Sequence, residues 1–274
     1  MSTLQKTEKA NSIKSGKKPK SQRRVQAMLS SKQQYPGQSN QAYKVQARGD
    51  TDWRLFDTCR IEISVGAEYH EGAKFKSSVQ WAVGRFDRVV FHVVDTLQRH
   101  NISFENKLSI GQAYKEARLK GDQWLNRNME AIKLVFNKPE IYRWDDWKQH
   151  SDFAENRKKL MTLYRTNAKF MKAINDKMNG FWERKSQLIP NIYSEDRREQ
   201  FEKNTLDYCL EELTGAACFY KDVNGITAYP GSFESVWDLL ASQEMNGLPE
   251  SFQNAQWTRL KFNRNNNYRL KVII

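Results

Sequence analysis

Along its 274 residues the chain turns from a long polar stretch to regular apolar patterning near Thr51. CRIEISV (59–65) is rich in β-branched residues and predicts a strand. In EGAKFKSSVQWAVGRF (71–86), Phe75, Val79, Ala82, Val83 and Phe86 recur at helical spacing. RVVFHVVD (88–95) is almost continuously apolar, the pattern of a strand covered on both faces, as in a parallel sheet. Strand, helix and strand within 37 residues predict a right-handed βαβ unit. In such sheets ligands gather beyond the carboxyl ends of the strands, and Ser64 falls at that edge.

Helical periodicity dominates the middle of the chain. It predicts helices over 109–136, 152–178 and 194–220. The first is expected to bury Tyr114, Trp124, Leu125, Met129, Ile132 and Phe136. GITAYPGS (225–232) predicts a short strand stopped by Pro-Gly, after which Ser232 or a neighbour caps FESVWDLLASQ. QWTRLKFN and NYRLKVII predict two more strands. The fold class is α/β, in one folded domain over 50–274.

Charge changes the picture at the N-terminus. Residues 1–49 hold eleven Lys or Arg against a single acid, Glu8, and few large apolar side chains. Such a segment cannot offset its ordering entropy by burial, so a disordered basic tail is expected. Over the whole chain Lys and Arg outnumber Asp and Glu by 45 to 32, which favours an anionic partner, nucleic acid before membrane. No apolar run approaches the roughly 20 residues of a membrane helix, and no signal-peptide core is seen. The three cysteines form no CxxC pair and fit no closed disulfide set. The four histidines lack metal-ligand spacing. A cytoplasmic monomer without metal or cofactor is expected.

Three constellations carry candidate chemistry. Ser64 with His70 or His92 and Asp95 has the residue types of a hydrolase triad, but its flanks are not the G-x-S-x-G elbow. Dinucleotide binding lacks its GxGxxG loop, only Gly66 and Gly72 following the first strand, and no P-loop is present. Tyr208 and Glu212, four apart on one helical face, form a phenol–carboxylate pair able to hold an ammonium group. A half-buried core Tyr beside a solvated acid is the plainer alternative.

Taken in order, strand–Ser64–turn–helix, FDRVVFHVVD, EARLKGDQWLNRN, YCLEEL and AYPGS resemble the tRNA-dependent cyclodipeptide synthases over roughly 51–245. The resemblance implies a Rossmann-like parallel sheet flanked by helices, similar to class I aminoacyl-tRNA synthetase catalytic domains. It implies ping-pong formation of a cyclic dipeptide from two aminoacyl-tRNAs, with Ser64 as nucleophile. Tyr208 and Glu212 then hold the aminoacyl amine, and Tyr229 serves the later steps. Gly66, Ala67 and Pro230 fall at substrate-binding positions, and Arg118, Lys120 and Arg127 on the tRNA-binding helix.

Two departures from the better-known branch, Ala67 for Asn and Pro230 for His, look like the branch signed by any residue, Tyr, Pro. Glu62 stands where many members have Gly, which alters the polarity of the first pocket. An aminoacyl-tRNA is already an activated ester, so no ATP is needed, in keeping with the missing phosphate loop. Another aminoacyl-tRNA-dependent acyltransferase, or a non-catalytic tRNA-binding protein, are the alternatives.

Overall fold

A computed structural model of the chain describes residues 42–49, 51–133, 139–231, 235–242 and 245–265. Its centre is a six-stranded sheet: β1 (Tyr43–Arg48), β2 (Thr58–Ser64), β3 (Arg88–Val94), β4 (Glu140–Arg143), β5 (Ile226–Tyr229) and β6 (Gln256–Arg264). The spatial order is β1-β6-β5-β2-β3-β4. β6, β5, β2, β3 and β4 run parallel, and β1 closes one edge antiparallel to β6.

That order sets the site. From β2 the chain steps outward through β3 to β4, then returns to lay β5 on the other side of β2. The direction of winding therefore reverses between β2 and β5, and beyond the carboxyl ends of two such strands a crevice opens.

Helix α1 (Gly72–Val83) joins β2 to β3. Then come α2 (Arg99–Asn106) and α3 (Ile110–Lys133) before β4, and α4 (Trp144–Lys148), α5 (Phe153–Thr166), α6 (Ala168–Leu188) and α7 (Arg198–Asp222) before β5. Helix α8 (Ser235–Ala241) precedes β6. One sheet face packs Ile61, Ile63, Val89 and Phe91 against Phe75 and Val79 of α1 and Trp124 of α3. The other packs Val90 and Val94 against Trp144 and α7. Helix α7 is buried almost all round from Cys209 to Tyr220, as suits a helix inside a layer rather than upon it.

Several expectations shift. Residues 43–48, expected within the tail, form β1. Tyr43, Val45 and Ala47 point inward while Lys44, Gln46 and Arg48 are exposed, so the folded part begins before residue 50. The remainder of the expected tail, the strand NYRLKVII and the cap Ser232 lie outside the described residues. The helix expected over 152–178 is two helices. Asn167 ends α5 and caps α6 by accepting the Phe170 N–H at 3.0 Å, and α6 runs on to Leu188. The buried stripe of α3 is Ala113, Ala117, Gly121, Trp124, Asn128 and Ile132. Tyr114, Leu125 and Met129 are only half-buried beside it. The first three members of the stripe are small because the helix lies close on its neighbours there: a Cβ on Gly121 would stand 2.3 Å from Asp95 Oδ2.

Candidate active site

Side chains alternate along a strand, so β2 divides its residues between two layers. Cys59, Ile61 and Ile63 enter the apolar layer of α1. Arg60, Glu62 and Ser64 face α7, and Glu62 and Ser64 line a cavity of about 210 Å³. His92 and Val94 reach it from β3, and Tyr229 from the end of β5. Tyr229 is one register step beyond the Ile61–Ala228 pair, so it stands beside Glu62 and extends toward Ser64.

Beyond Ser64 the chain turns sharply. The Ala67 N–H donates to the Ser64 carbonyl at 3.1 Å, and Gly66 takes φ +92°, a region that favours glycine. The turn brings His70 back under the strand end, where Nδ1 accepts the Ser64 N–H at 2.9 Å. Burial holds the His70 imidazole down at about pKa 3. His70 is thus a neutral acceptor that fixes the Ser64 backbone. The Ser64 hydroxyl instead meets Tyr229 Oη at 3.0 Å, and Tyr229 Oη meets Tyr69 Oη at 2.9 Å. Burial, then the neighbouring Tyr69, pushes the Tyr229 phenol up, so it is a proton-bearing hydroxyl at neutral pH. Gly231 lets the chain fold against this ring: a Cβ there would lie 2.3 Å from Tyr229 Cε1.

The opposite wall is one face of α7. Thr205, Tyr208, Cys209, Glu212, Ala216 and Tyr220 repeat at spacings of three and four and all line the cavity. Tyr208 and Glu212 therefore lie across from Ser64. Burial and Glu212 push the Tyr208 phenol well up, so it stays protonated. Lys177 of α6, which sequence reasoning passed over, reaches into the same wall and forms a close ion pair with Glu212. The neighbouring Glu211 points elsewhere. It accepts from Arg99 at 2.8 Å and Trp144 at 2.8 Å and pairs with His100 at 3.2 Å, which ties α2 and α4 to α7.

Glu62 and Glu212 are the two acids that line the cavity. Tyr220 Oη donates to Glu62 Oε1 at 3.2 Å. Burial raises the Glu62 pKa to about 7, against the pull of Arg60. Arg60, one layer below, donates to the carbonyls of Val223, Asn254 and Gln256 at 3.0–3.1 Å and lies 4.1 Å over the Tyr220 ring. It fastens β2 to the end of α7 and the start of β6.

A hydrolase triad does not assemble. His92 is stacked on Trp144, with centroids 5.5 Å apart, and Asp95 is paired to Arg143. Gly66, Ala67 and Pro230 are not among the residues that line the cavity. The three α3 cations all hold acids: Arg118 on Asp145 at 3.1 Å, Lys120 on Glu116 at 2.7 Å and Arg127 on Glu71 at 2.7 Å. They stay about half exposed. Among the described residues no group of three or more His, Cys, Asp or Glu is placed to hold a metal ion, and no helix is long and apolar enough to cross a membrane.

The sequence matches no family model and no curated protein. Solved structures do match. A cyclodipeptide synthase from Fluoribacter dumoffii aligns with a TM-score of 0.73 at 26% identity, over 82% of this chain and 100% of that one. The chain has the cyclodipeptide synthase fold. Two more distant structures share it. One is a cyclodipeptide synthase from Candidatus Glomeribacter gigasporarum, bound to Phe-tRNAPhe, with TM-score 0.60 and 17% identity over 79% of this chain and 91% of that one. The other is a Mycobacterium tuberculosis protein, described as showing that cyclodipeptide synthetases are related to type I tRNA synthetases. Its TM-score is 0.59 at 13% identity, over 82% of this chain and 95% of that one. In this cyclodipeptide synthase fold five parallel strands carry the Rossmann-like arrangement, and the strand ends at its reversal point carry Ser64 and Tyr229.

Proposed function

We propose that the chain is a tRNA-dependent cyclodipeptide synthase working through an acyl-Ser64 intermediate, in the branch signed by Ala228-Tyr229-Pro230. One observation carries the reading: Ser64 Oγ and Tyr229 Oη, from adjacent strand ends, meet in a cavity whose far wall holds Tyr208 and Glu212.

Ser64 Oγ attacks the ester carbonyl of the first aminoacyl-tRNA. The bond to the terminal ribose breaks, the ribose oxygen takes a proton, and the aminoacyl ester of Ser64 forms. The hydroxyl row Ser64–Tyr229–Tyr69 offers a path for that proton. Ester replaces ester, so the step is nearly thermoneutral. Tyr208 and Glu212 hold the amine during transfer. Backbone N–H donors at the oxyanion commonly supply about 3 kcal/mol in such steps. The free amine of the acyl-enzyme then attacks the ester of a second aminoacyl-tRNA, releasing that tRNA and leaving a dipeptidyl ester on Ser64. Its terminal amine closes on the Ser64 carbonyl and gives up a proton, while the departing Oγ takes a proton from Tyr229, which the amine's proton replaces. Arg118, Lys120 and Arg127 meet tRNA phosphates on the α3 face, exchanging their internal acids for the ligand.

Radiolabelled aminoacyl-tRNAs test this. Wild type should acquire a base-labile acyl label and release a cyclic dipeptide detectable by mass spectrometry. Ser64→Ala should lose both, and Tyr229→Phe, which interrupts the hydroxyl row and removes the proton donor of the last step, should slow labelling and lose product. A Ser64→Ala variant that turns over normally refutes the mechanism. A labelled wild type that forms only linear products points to another acyltransferase.

A further inference from the structure

The acyl group on Ser64 has three substituent directions. The ester oxygen is fixed at Ser64, and the amine lies toward Tyr208 and Glu212. The side chain is left with the depth of the cavity. Its floor is Glu62, two residues before Ser64 on the same face of β2 and therefore about 7 Å deeper. That span suits a long side chain and leaves a short one hanging above the acid.

A carboxyl is an unusual floor. Glu62 accepts one hydrogen bond, from Tyr220, and its second oxygen has no hydrogen-bond partner among the described residues. Arg60 does not satisfy it, since its bonded nitrogens are directed at three backbone carbonyls. The adjoining wall is aromatic and flat, with His92 lying parallel to Trp144 at 17°. Both His92 ring nitrogens are buried without a protein partner among the described residues. An aliphatic side chain filling this space would cover a carboxyl with hydrocarbon and strand its unused oxygen, which is costly.

We infer that Glu62 selects the first amino acid, favouring a side chain that ends in a nitrogen–hydrogen donor: guanidinium, ammonium, imidazole or indole. The donor bonds the free Glu62 oxygen, and a planar group gains the aromatic wall. This rests on the acyl-Ser64 reading above. Sites built around a hydrogen bond reject analogues lacking it by roughly 10⁴-fold, against roughly 10²-fold for a missing methylene.

The test offers wild type, one at a time, tRNAs charged with Arg, Lys, His, Trp, Leu, Met, Phe and Val, and measures the rate of base-labile labelling. At least one of the first four should label faster than every one of the last four by about 10³-fold or more. Glu62→Leu should reverse that order. Glu62→Gln, which keeps one acceptor and nearly the same shape, should slow the favoured donor about tenfold or more while its thermal melt shows it folded. Fast labelling of wild type by Leu, Met, Phe or Val overturns the inference and leaves the acyl-Ser64 reading standing. Absence of label from all eight overturns the inference, and absence of label from all twenty aminoacyl-tRNAs overturns the acyl-Ser64 reading as well.

Discussion

Lys177 and Glu212 make a direct test of what the cavity holds. Their side chains are 11% and 23% exposed, and they pair across α6 and α7 where the substrate amine is expected. The lysine ammonium thus occupies the position proposed for the substrate amine. Glu212→Gln removes the carboxylate charge that Lys177 pairs with. Breaking one side of a buried pair costs about 3–5 kcal/mol, or roughly 10 °C in melting temperature for a domain of this size. A slow Glu212→Gln enzyme would therefore be ambiguous, since lost fold and lost chemistry coincide. Lys177→Met combined with Glu212→Gln separates them. Replacing both partners by groups of similar volume is commonly near neutral, so the double variant should melt close to wild type. Its acyl transfer should remain slow, because a charge-assisted hydrogen bond to the substrate amine, worth about 1.5–3 kcal/mol, is gone. That corresponds to about 10- to 150-fold in the rate of Ser64 labelling at saturating aminoacyl-tRNA. Lys177→Met alone leaves Glu212 to the substrate and should keep most activity. The measurements are melting curves and single-turnover labelling for all three variants. A double variant that is stable and labels at the wild-type rate would refute the amine-holding role and leave Glu212 a structural partner of Lys177.

The acid–base behaviour of the core gives a second prediction. His70 and His92 are held to about pKa 3 by burial, so the unfolded chain takes protons first. Their contribution is present above about pH 6.5 and is lost as pH falls toward 3. Glu62, raised to about 7, runs the other way: its contribution is complete below about pH 4.5 and is lost as pH rises to 7. Melts of wild type and Glu62→Gln between pH 4.5 and 8 should therefore diverge by up to roughly 3 kcal/mol across that window, and parallel curves would contradict the burial argument. On α3, replacing Arg118, Lys120 and Arg127 with Ala should flatten the log–log salt dependence of tRNA affinity by a little under one unit per lost phosphate contact. Glu71→Gln, which frees Arg127, should strengthen binding; an unchanged slope in the triple variant would move the tRNA surface elsewhere.

The parts of this molecule that can be seen in sequence are those whose signal is local. β2, α1 and β3 are legible because β-branched runs and helical spacing survive whatever packs on them. Tyr208 and Glu212 can be placed on one face from their spacing alone. Signals that depend on what the chain returns to are not. β1 has a clean alternation of Tyr43, Val45 and Ala47, but it sits at the end of a basic stretch, and only pairing with β6, more than 200 residues away, gives it a core face. Lys177 resembles Lys172 in every local respect. Lys172 is 74% exposed beside Asp176, whereas Lys177 turns into the cavity because α6 lies along α7. Tyr69 looks like part of a turn until Tyr229 arrives from β5. A further local signal lies in CRIEISV, where the polar residues Arg60, Glu62 and Ser64 fall on alternate positions of a strand covered on both sides. Three polar side chains sharing a covered face demand partners, and a solvated edge does not supply them. Arg60 finds its partners in backbone carbonyls, and Ser64 finds Tyr229. Glu62 is left with one oxygen bonded and one facing the cavity, which is why the specificity of the reaction is best sought there.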